Sequence, residues 1–447
     1  MISIFKNKLT QTQLIALGFF ILIMLGTLLL MLPISSRVPG DTSFLDALFT
    51  ATSATCVTGL VVQDTFQHWT IFGQVVILLL IQIGGLGFMT IGVCFALLLR
   101  KRIDLKQRGL LQESVNTLEI GGIVRLTRKI IKGTILIEGI GAFLLFLRFY
   151  PELKFGRALY YGVFHAISAF CNAGFDLMGR DEAYISLVGY QGDILVNLVI
   201  MSLIVIGGIG FVVWDDISKK KWHFKKYMLH TKIVLTMTFL LIFGGAILFY
   251  LFERNNIMQD MPLKNKILSS LFCSITPRTA GFNTVDIAAL SEGSKLLTLI
   301  FMFIGGSPGS TAGGVKTTSV AVILLFLYSN IKNTSGCNVF KRRLPEDSVK
   351  KATAVCSTNL ILALSVALLI CGIDALPLTD VLLEVFSAIG TVGMTTGITR
   401  ELGSIARIFI ILLMYFGRIG SLSFALSFTS KKEKSHLLQP TEKIVIG

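Results

Sequence analysis

Eight long apolar stretches run through this chain and restrict what it can fold into. Each is long enough to cross the roughly 30 Å hydrocarbon core of a bilayer as a helix of about 20 residues. Only 15% of the 447 residues are charged, whereas a soluble domain carries about 25%. The first stretch is too long for a signal peptide and lacks a small-residue cleavage site, so we expect it to remain as a helix. The sequence therefore predicts an all-α integral membrane protein with eight transmembrane helices, at Gln13–Ile34, Phe72–Leu99, Ile131–Phe149, Ile194–Trp214, Ile233–Leu251, Leu296–Leu327, Ala354–Ile373 and Ala406–Phe428.

The net charge of +15 follows from this membrane topology. Lysine and arginine cluster in alternate connections, and an excess of these residues marks the cytoplasmic side. With an even number of spans, the pattern predicts a multi-pass plasma-membrane protein with both termini in the cytoplasm. It also explains the basic charge without nucleic acid as a partner. The clusters are Lys6 with Lys8, Arg100–Arg108 with Arg125–Lys132, Lys219–Lys226, Lys341–Arg343 with Lys350 and Lys351, and Lys431–Lys434.

Four short segments resemble one another and recur at nearly equal intervals. They are Ser53–Leu60, Ser168–Phe175, Ile275–Phe282 and Ser387–Met394, and they align on Gly59, Gly174, Gly281 and Gly393. Each follows a half-apolar helical segment too short to span a membrane, and each lies between two full spans on the outer side. These short segments are Phe44–Ser53, Ala158–Ser168, Lys266–Ile275 and Asp380–Ser387. A repeat of this kind across the whole chain indicates a fourfold duplication.

A second glycine motif repeats in phase with the first, inside the span that follows each strip. It falls at Ile83–Phe88, Ile206–Phe211, Ile304–Gly306 and Phe416–Gly420. The two motifs together predict four M1–pore loop–M2 repeats, with eight transmembrane helices and four re-entrant pore helices around a pseudo-fourfold central pore. The predicted boundaries are 1–105, 106–227 with a cytoplasmic linker, 228–345, 346–430, and a cytoplasmic tail at 431–447.

The glycine strips suggest how such a fold would handle ions. Irregular backbone at membrane depth is tolerated only when it is buried in protein or lines a wet cavity. If the four strips meet at one axis, their carbonyl oxygens can replace the water shell of a desolvated cation. Glycine suits this position because it adopts backbone angles that other residues avoid. The alternative for these glycines is close helix packing.

Charges near the mouth add to this interpretation. The short helices would direct the negative ends of their dipoles at the axis, which favours a cation there. Asp64, Asp176 and Asp286 follow three of the glycines and would concentrate cations at the mouth. They are equally consistent with ordinary solvated loop positions.

The third repeat contains a segment that cannot remain helical. Proline and several glycines interrupt an apolar stretch there, and a broken helix beneath a filter is a candidate gate, with a static kink as the alternative. The candidate gate residues are Gly305, Gly306, Ser307, Pro308, Gly309, Ser310, Thr311, Ala312, Gly313, Gly314 and Lys316.

Arg418 lies within the last apolar span, where a charge is costly and usually faces the interior. Its register matches the second glycine of the other glycine pairs, so we expect it near the axis below the filter. There it would brace the gate segment through carbonyl groups or form an electrostatic barrier. A structural ion pair or hydrogen bond is the alternative.

Other function classes fit the sequence less well. Gly305–Gly309 matches G-x-S-x-G and Gly309–Thr317 nearly matches a phosphate loop, but neither has the strand–turn–helix context it needs. His165 falls in a pore-helix segment, where a hydrogen-bonded structural role is expected, so the chain is not interpreted as an enzyme. The seven cysteines show no metal or disulfide spacing. The remaining alternatives are an ion-coupled secondary transporter of another monovalent cation with a midplane site and a non-transporting scaffold or receptor.

These motifs, taken in order, resemble the Trk/Ktr/HKT superfamily of potassium transporters, and most closely its Ktr membrane subunits of the B and D types. The resemblance rests on the Thr55–Leu60 strip and its three partners, Ile81–Thr90, Thr276–Asn283, the Gly305–Lys316 segment and Phe416–Gly420. It implies potassium uptake, an intramembrane gate at Gly305–Lys316 and a pore arginine at Arg418. The implied potassium selectivity filter comprises Cys56, Val57, Thr58, Gly59, Asn172, Ala173, Gly174, Thr279, Ala280, Gly281, Thr391, Val392 and Gly393.

The resemblance also implies partners. Members of the superfamily form homodimers in membrane lipid, often dock on a separate cytosolic RCK-type nucleotide-binding ring, and are often activated by sodium. No covalent cofactor is implied, and the Glu442–Gly447 ending resembles that of the family. Two features depart from simple symmetry: Asn172 and Arg278 have no counterparts in the other strips, and the second repeat is longer within its outer loop, Leu177–Tyr190.

Overall fold

The structure is a computed structural model that describes residues 10–87, 90, 92, 109, 111–113, 122–221, 223–334 and 336–420. Over these residues the regular secondary structure is α-helical except for short 3₁₀ turns and one two-stranded hairpin, Asn338–Val339 with Arg342–Arg343, and irregular loops connect the helices. The predicted tail and the basic clusters before Thr10, at 100–108 and at 431–434 lie outside the described residues.

The first repeat contains three helices: α1 (Gln11–Leu30), α2 (Phe44–Cys56) and α3 (Ile71–Leu86). A hydroxyl residue caps each N-terminus, and Ser43 Oγ, for example, accepts the Asp46 N–H at 3.1 Å. α2 is the short helix before the first glycine strip. It packs between α1 and α3 and ends at Val57 in the left-handed conformation.

The second repeat begins with α4 (Ile123–Phe170), which is two helices joined at a break. Lys154 has φ 61° and ψ 169°, close after Pro151, so the chain reverses direction there. The halves then pack side by side, since a Cβ on Gly162 would lie 2.7 Å from the Ala142 carbonyl. The following pair, α5 (Ile194–Gly208) and α6 (Phe211–Lys220), meets at a 95° bend.

The third repeat contains α7 (Leu229–Glu253), α8 (Leu263–Ile275), α9 (Glu292–Phe303) and α10 (Thr317–Ile331). The fourth contains α11 (Glu346–Asp374), α12 (Leu378–Gly390) and α13 (Ser404–Ile419). The four short helices α2, α4 (its second half), α8 and α12 each end at a glycine strip. They begin earlier or end later than the sequence predicted: α8 and α12 start directly after Pro262 and Pro377, and α2 and α12 continue to the left-handed residues Val57 and Thr391.

The predicted spans appear in a modified form. Among the described residues, four helices, α1, α4, α7 and α11, are long and apolar enough to cross a membrane. The span predicted as continuous at Ile194–Trp214 is instead bent, because Gly210 adopts φ 98° between α5 and α6. The span at Leu296–Leu327 is broken between α9 and α10. The predicted spans Phe72–Leu99 and Ala406–Phe428 lie partly outside the described residues.

Packing closes the repeats into one body. Buried apolar side chains form two large clusters, one mainly from the first two repeats and one mainly from the last two. The last repeat returns to the first: Arg407 on α13 donates to Asp46 on α2 at 2.9 Å, and Tyr415 Oη donates to the Ala16 carbonyl at 2.7 Å. Leucine, isoleucine and phenylalanine cover much of the outer surface of the long helices, which suits hydrocarbon as the solvent.

Candidate functional site

The four aligned glycines lie against one another in a closed ring. A Cβ on Gly59 would contact the carbonyl of Ala173, and one on Gly174 would contact that of Ala280. Likewise, a Cβ on Gly281 would contact the carbonyl of Val392, and one on Gly393 would contact the carbonyl of Thr58. All four of these contacts would be 2.8 Å or shorter. The structure therefore brings the four predicted strips together at one axis, in chain order.

Each strip has the same alternating backbone. The residue two before each glycine is left-handed: φ is 58° at Val57, 60° at Asn172, 71° at Thr279 and 53° at Thr391. The glycines themselves have φ between 71° and 92°, whereas the residue between is not left-handed. In an ordinary strand successive carbonyls point to opposite sides. Inverting φ at every second residue turns them to the same side, which is the arrangement that a carbonyl-lined path needs.

In the strips, several backbone amides form hydrogen bonds with the protein, whereas the carbonyls of each glycine and the two residues before it accept none from the described residues. The Gly59 and Gly393 amides donate to Ser53 Oγ and Ser387 Oγ at 3.1 and 3.0 Å. The residue before each of the four glycines donates its amide to a carbonyl in the last turn of its short helix or at that helix's C-cap. In the described part of the chain, by contrast, no carbonyl of residues 57–59, 172–174, 279–281 or 391–393 accepts a protein hydrogen bond. These oxygens are buried acceptors that need a partner.

The third-repeat loop, residues 304–316, lies directly beneath the ring. Ser307 N donates to the Gly208 carbonyl at 3.0 Å, and Thr311 N donates to the Gly207 carbonyl at 3.3 Å. Thr311 Oγ1 donates to the Phe170 carbonyl at 3.1 Å, at the C-terminal end of a short helix. The predicted gate residues thus form one non-helical loop tied to the second repeat by several hydrogen bonds.

Two basic side chains hold this loop through its carbonyls. Lys316 Nζ donates to the carbonyls of Ala312 and Gly313 at 2.8 and 3.0 Å. Arg418 Nη1 donates to the Thr311 carbonyl, and its Nη2 donates to the carbonyls of Gly84 and Gly85. Arg418 makes no ion pair within the described residues. The arginine therefore connects the loop to the end of α3 by hydrogen bonds.

On the side of the loop away from the ring lies a cavity of about 270 Å³. Its lining includes Lys316, Arg418 and an acid, Glu113, which accepts a hydrogen bond from Thr12 Oγ1 at 2.5 Å. The sequence did not indicate Thr12 or Glu113 as site residues. Neither belongs to a repeated motif, so no sequence signal distinguishes them from other polar residues near the ends of helices.

Above the ring lies a smaller cavity of about 70 Å³, which all four glycines line. Asp64 and Asp176 also line it, as predicted for acids at the mouth. Burial raises the pKa of Asp176 to about 7. Asp286 instead lies exposed, accepts the Ala288 N–H at 2.9 Å and does not line this cavity, which agrees with the alternative of an ordinary loop position.

The same cavity is lined by Tyr184 and Arg400, which the sequence did not indicate. Neither residue belongs to one of the repeated segments, and the two lie far apart in the chain. The only prior signal was the extra length of the second repeat's outer loop, in which Tyr184 lies.

Two strip residues that lack counterparts sit behind the ring. The Asn172 side chain lies 3.3 Å from Thr279 Oγ1 in either amide orientation, which links the second and third strips. Arg278 is 4% exposed and donates to Thr238 Oγ1 at 3.3 Å. His165 has the predicted structural role: Nδ1 donates to the Tyr161 carbonyl at 2.7 Å and Nε2 accepts the Leu177 N–H at 3.2 Å.

Comparison with known proteins agrees with this geometry. The family model described as TrkH, cation transport protein, matches residues 5–439. The potassium/sodium uptake protein NtpJ of Enterococcus hirae is 40% identical over 99% of this chain and 98% of its own. The Ktr system potassium uptake protein B of Bacillus subtilis is 41% identical over 98% of this chain and 97% of its own.

A solved structure matches the fold. The potassium transporter TrkH from Vibrio parahaemolyticus superimposes with a TM-score of 0.72 over 95% of this chain and 86% of its own, at 18% identity. The likeness of that structure establishes the all-α membrane fold. The family is one of transporters, in agreement with the prediction that the chain is not an enzyme. The chain belongs to the TrkH family of cation transport proteins.

Proposed function

We propose that this chain is the ion-conducting subunit of a Ktr-type potassium uptake system in the plasma membrane. The observation that carries the proposal is the ring of four strips, in which the amide before each glycine is hydrogen-bonded while the carbonyls accept no bond from the described part of the protein. Buried carbonyls on one axis suit a cation that has lost its water shell. The names of the relatives, which are potassium uptake proteins, support potassium as the substrate.

The three predicted roles follow from this proposal. The strip residues from Cys56 to Gly59 and their partners in the other repeats act as the selectivity filter. The loop at 305–316 acts as the gate, because it lies across the path below the ring. Arg418 holds the gate closed through its hydrogen bonds to Thr311, Gly84 and Gly85.

The proposed surroundings also follow the family resemblance. Both termini are cytoplasmic, the chain forms a homodimer in lipid, and a separate RCK-type ring controls the gate. Sodium acts as an activator, a proposal supported by the name of the Enterococcus relative, which includes both ions.

Growth rescue tests the proposal. A bacterium that lacks its own potassium uptake systems is transformed with the chain and grown on limiting potassium, with and without sodium and with a co-expressed regulatory subunit. Rescue that depends on the chain supports potassium uptake, whereas failure at the lowest potassium concentrations, with the protein present in the membrane, would contradict it. Rescue only in sodium would identify sodium as activator or coupling ion.

A further inference from the structure

The outer loop of the second repeat, Leu177–Tyr190, crosses the mouth of the pore and contacts the first repeat. Tyr184 N donates to Asp64 Oδ2 at 2.8 Å, and Tyr184 Oη donates to the Val62 carbonyl at 3.1 Å. Both partners follow the first glycine strip closely. The loop is therefore fastened to the rim of the ring rather than projecting into solvent.

The same loop contacts the third and fourth repeats. The Asn283 amide donates to Ser186 Oγ at 3.2 Å, and the Leu187 amide donates back to the Asn283 carbonyl at 3.0 Å. The Arg400 guanidinium of the fourth repeat lies 4.2 Å from the centre of the Tyr184 ring, a cation–π contact. One loop thus joins all three other repeats.

The loop conformation depends on these contacts. Tyr184 and Ser186 both adopt left-handed backbone angles, with φ of 64° and 51°, which non-glycine residues rarely do. Such residues persist where the surrounding structure over-determines them. Here the fixing contacts come from the three other repeats, so the loop is held in this position only when the repeats are assembled around it.

The space between this loop and the ring is small. The cavity of about 70 Å³ is lined below by the four ring glycines and above by Tyr184 and Arg400. It exceeds the roughly 10–15 Å³ that a cavity needs to hold one water molecule, so it has room for a few waters. A small inorganic cation with part of its water shell fits this space, whereas a quaternary ammonium ion with four ethyl groups is too bulky.

We infer that Leu177–Tyr190 is a size-selective cap, latched by the contact between Tyr184 and Arg400, that admits small inorganic cations to the filter and excludes organic ammonium ions. The inference rests on the proposed function, because it concerns the entrance to the same pore. Arg400 places a positive charge in the cavity lining, and the Tyr184 ring holds that guanidinium at the rim. Asp64, which also lines the cavity, offsets its charge for an entering cation.

Cysteine accessibility tests the cap without requiring transport. Val61 lines the cavity, and Val38 is 62% exposed elsewhere on the outer side. The test compares Val61→Cys with the control Val38→Cys in membrane vesicles. Each variant is labelled with two methanethiosulfonate reagents, one with a small ethylammonium group and one with a bulky trimethylammonium group. We expect the bulky reagent to label Val61→Cys at least about tenfold more slowly than the small one, and Val38→Cys at similar rates.

Opening the latch should remove this difference. In Val61→Cys, the added change Tyr184→Ala or Arg400→Gln should bring the two labelling rates within about twofold. Tyr184→Phe keeps the ring and should preserve the difference. Equal rates with the intact cap, or a size difference that survives both latch variants, would overturn the inference. Two latch variants on different repeats protect the test against one that fails to fold.

A transport measurement separates this inference from the proposed function. Rubidium uptake by the wild type should resist external tetraethylammonium, and uptake by Tyr184→Ala should become sensitive to it. Uptake that is equally resistant in both would refute the cap while leaving the proposed function intact. Absence of uptake by the wild type would refute the proposed function, and the labelling result would still decide the cap.

Discussion

Gly393 lies against the carbonyl oxygen of Thr58, so the last repeat of the chain contacts the first at the level of the glycine strips. The ion pair between Arg407 and Asp46 joins the same two repeats nearer the outer side. These two contacts close a chain of four repeats into a ring.

Gly59→Ser should weaken the discrimination of potassium from sodium. Gly59 has φ 91°, where a side chain costs about 1–2 kcal/mol, and a Cβ there would displace the Ala173 carbonyl. We expect the ratio of potassium to sodium uptake to fall about tenfold or more, since about 1.4 kcal/mol corresponds to a factor of ten. Uptake of the two ions in the same cells measures the ratio.

Gly40→Ser is the matched control. Gly40 also has a positive φ, 85°, but no atom lies within 4 Å of the position that its Cβ would take. The control therefore carries similar backbone strain without contact to the ring, and its uptake ratio should equal that of the wild type. An unchanged ratio in Gly59→Ser would argue against the filter assignment.

Deleting part of Ser307–Gly314 should raise the flux and uncouple it from regulation. The loop lies across the path and is held by the hydrogen bonds from Thr311 to Gly207 and Phe170. Initial rates of rubidium uptake, with and without a regulatory subunit, measure the effect. If the shortened protein reaches the membrane but transports at the wild-type rate, or not at all, the loop is not the gate.

Arg418→Gln should change the transport rate and spare folding. The side chain donates to carbonyls of the loop and of α3, and each hydrogen bond from a charged group contributes about 1.5–3 kcal/mol. Loss of these bonds favours the open loop, so we expect faster uptake. Surface amount and detergent melting temperature are the controls. Loss of the protein from the membrane would instead support a purely structural role.

Asp46→Asn should lower the melting temperature of the purified protein. The Arg407–Asp46 pair is largely buried, with side-chain exposures of 20% and 12%. Breaking a fully buried ion pair costs about 3 kcal/mol of stability, and we expect a smaller cost for this partly exposed pair. Arg343→Gln is the control, because the Arg343–Glu346 pair is exposed and should contribute below about 1 kcal/mol. Equal shifts in both variants would show that ring closure does not depend on Asp46.

The sequence predicted the parts of the fold that repeat. The glycine strips were found because four similar segments lie between apolar spans, and the structure brings all four together. The interruption at Gly305–Lys316 was predicted because proline and glycine cannot continue a helix. Internal repetition was sufficient to predict the strips, and the conformational limits of proline and glycine were sufficient to predict the interruption.

Features that depend on contacts between repeats were not predictable. The Tyr184–Arg400 contact joins residues far apart in the chain, and the pairing of Thr12 with Glu113 joins two segments without a motif. Which of Asp64, Asp176 and Asp286 line the cavity was left open for the same reason, because a loop's direction after its glycine depends on packing against neighbouring repeats. The bend at Gly210 was missed because a single glycine does not by itself determine whether a helix continues.

Potassium should bind on the axis of the ring, at the strip carbonyls that have no partner among the described residues. The most direct measurement is the anomalous scattering of crystals of the protein grown in thallium, a heavier ion of similar size to potassium. We expect a peak surrounded by the carbonyls of Thr58, Ala173, Ala280 and Val392, and its loss when sodium replaces thallium. An axis without a peak, or carbonyls turned away to bond with protein, would contradict the claim.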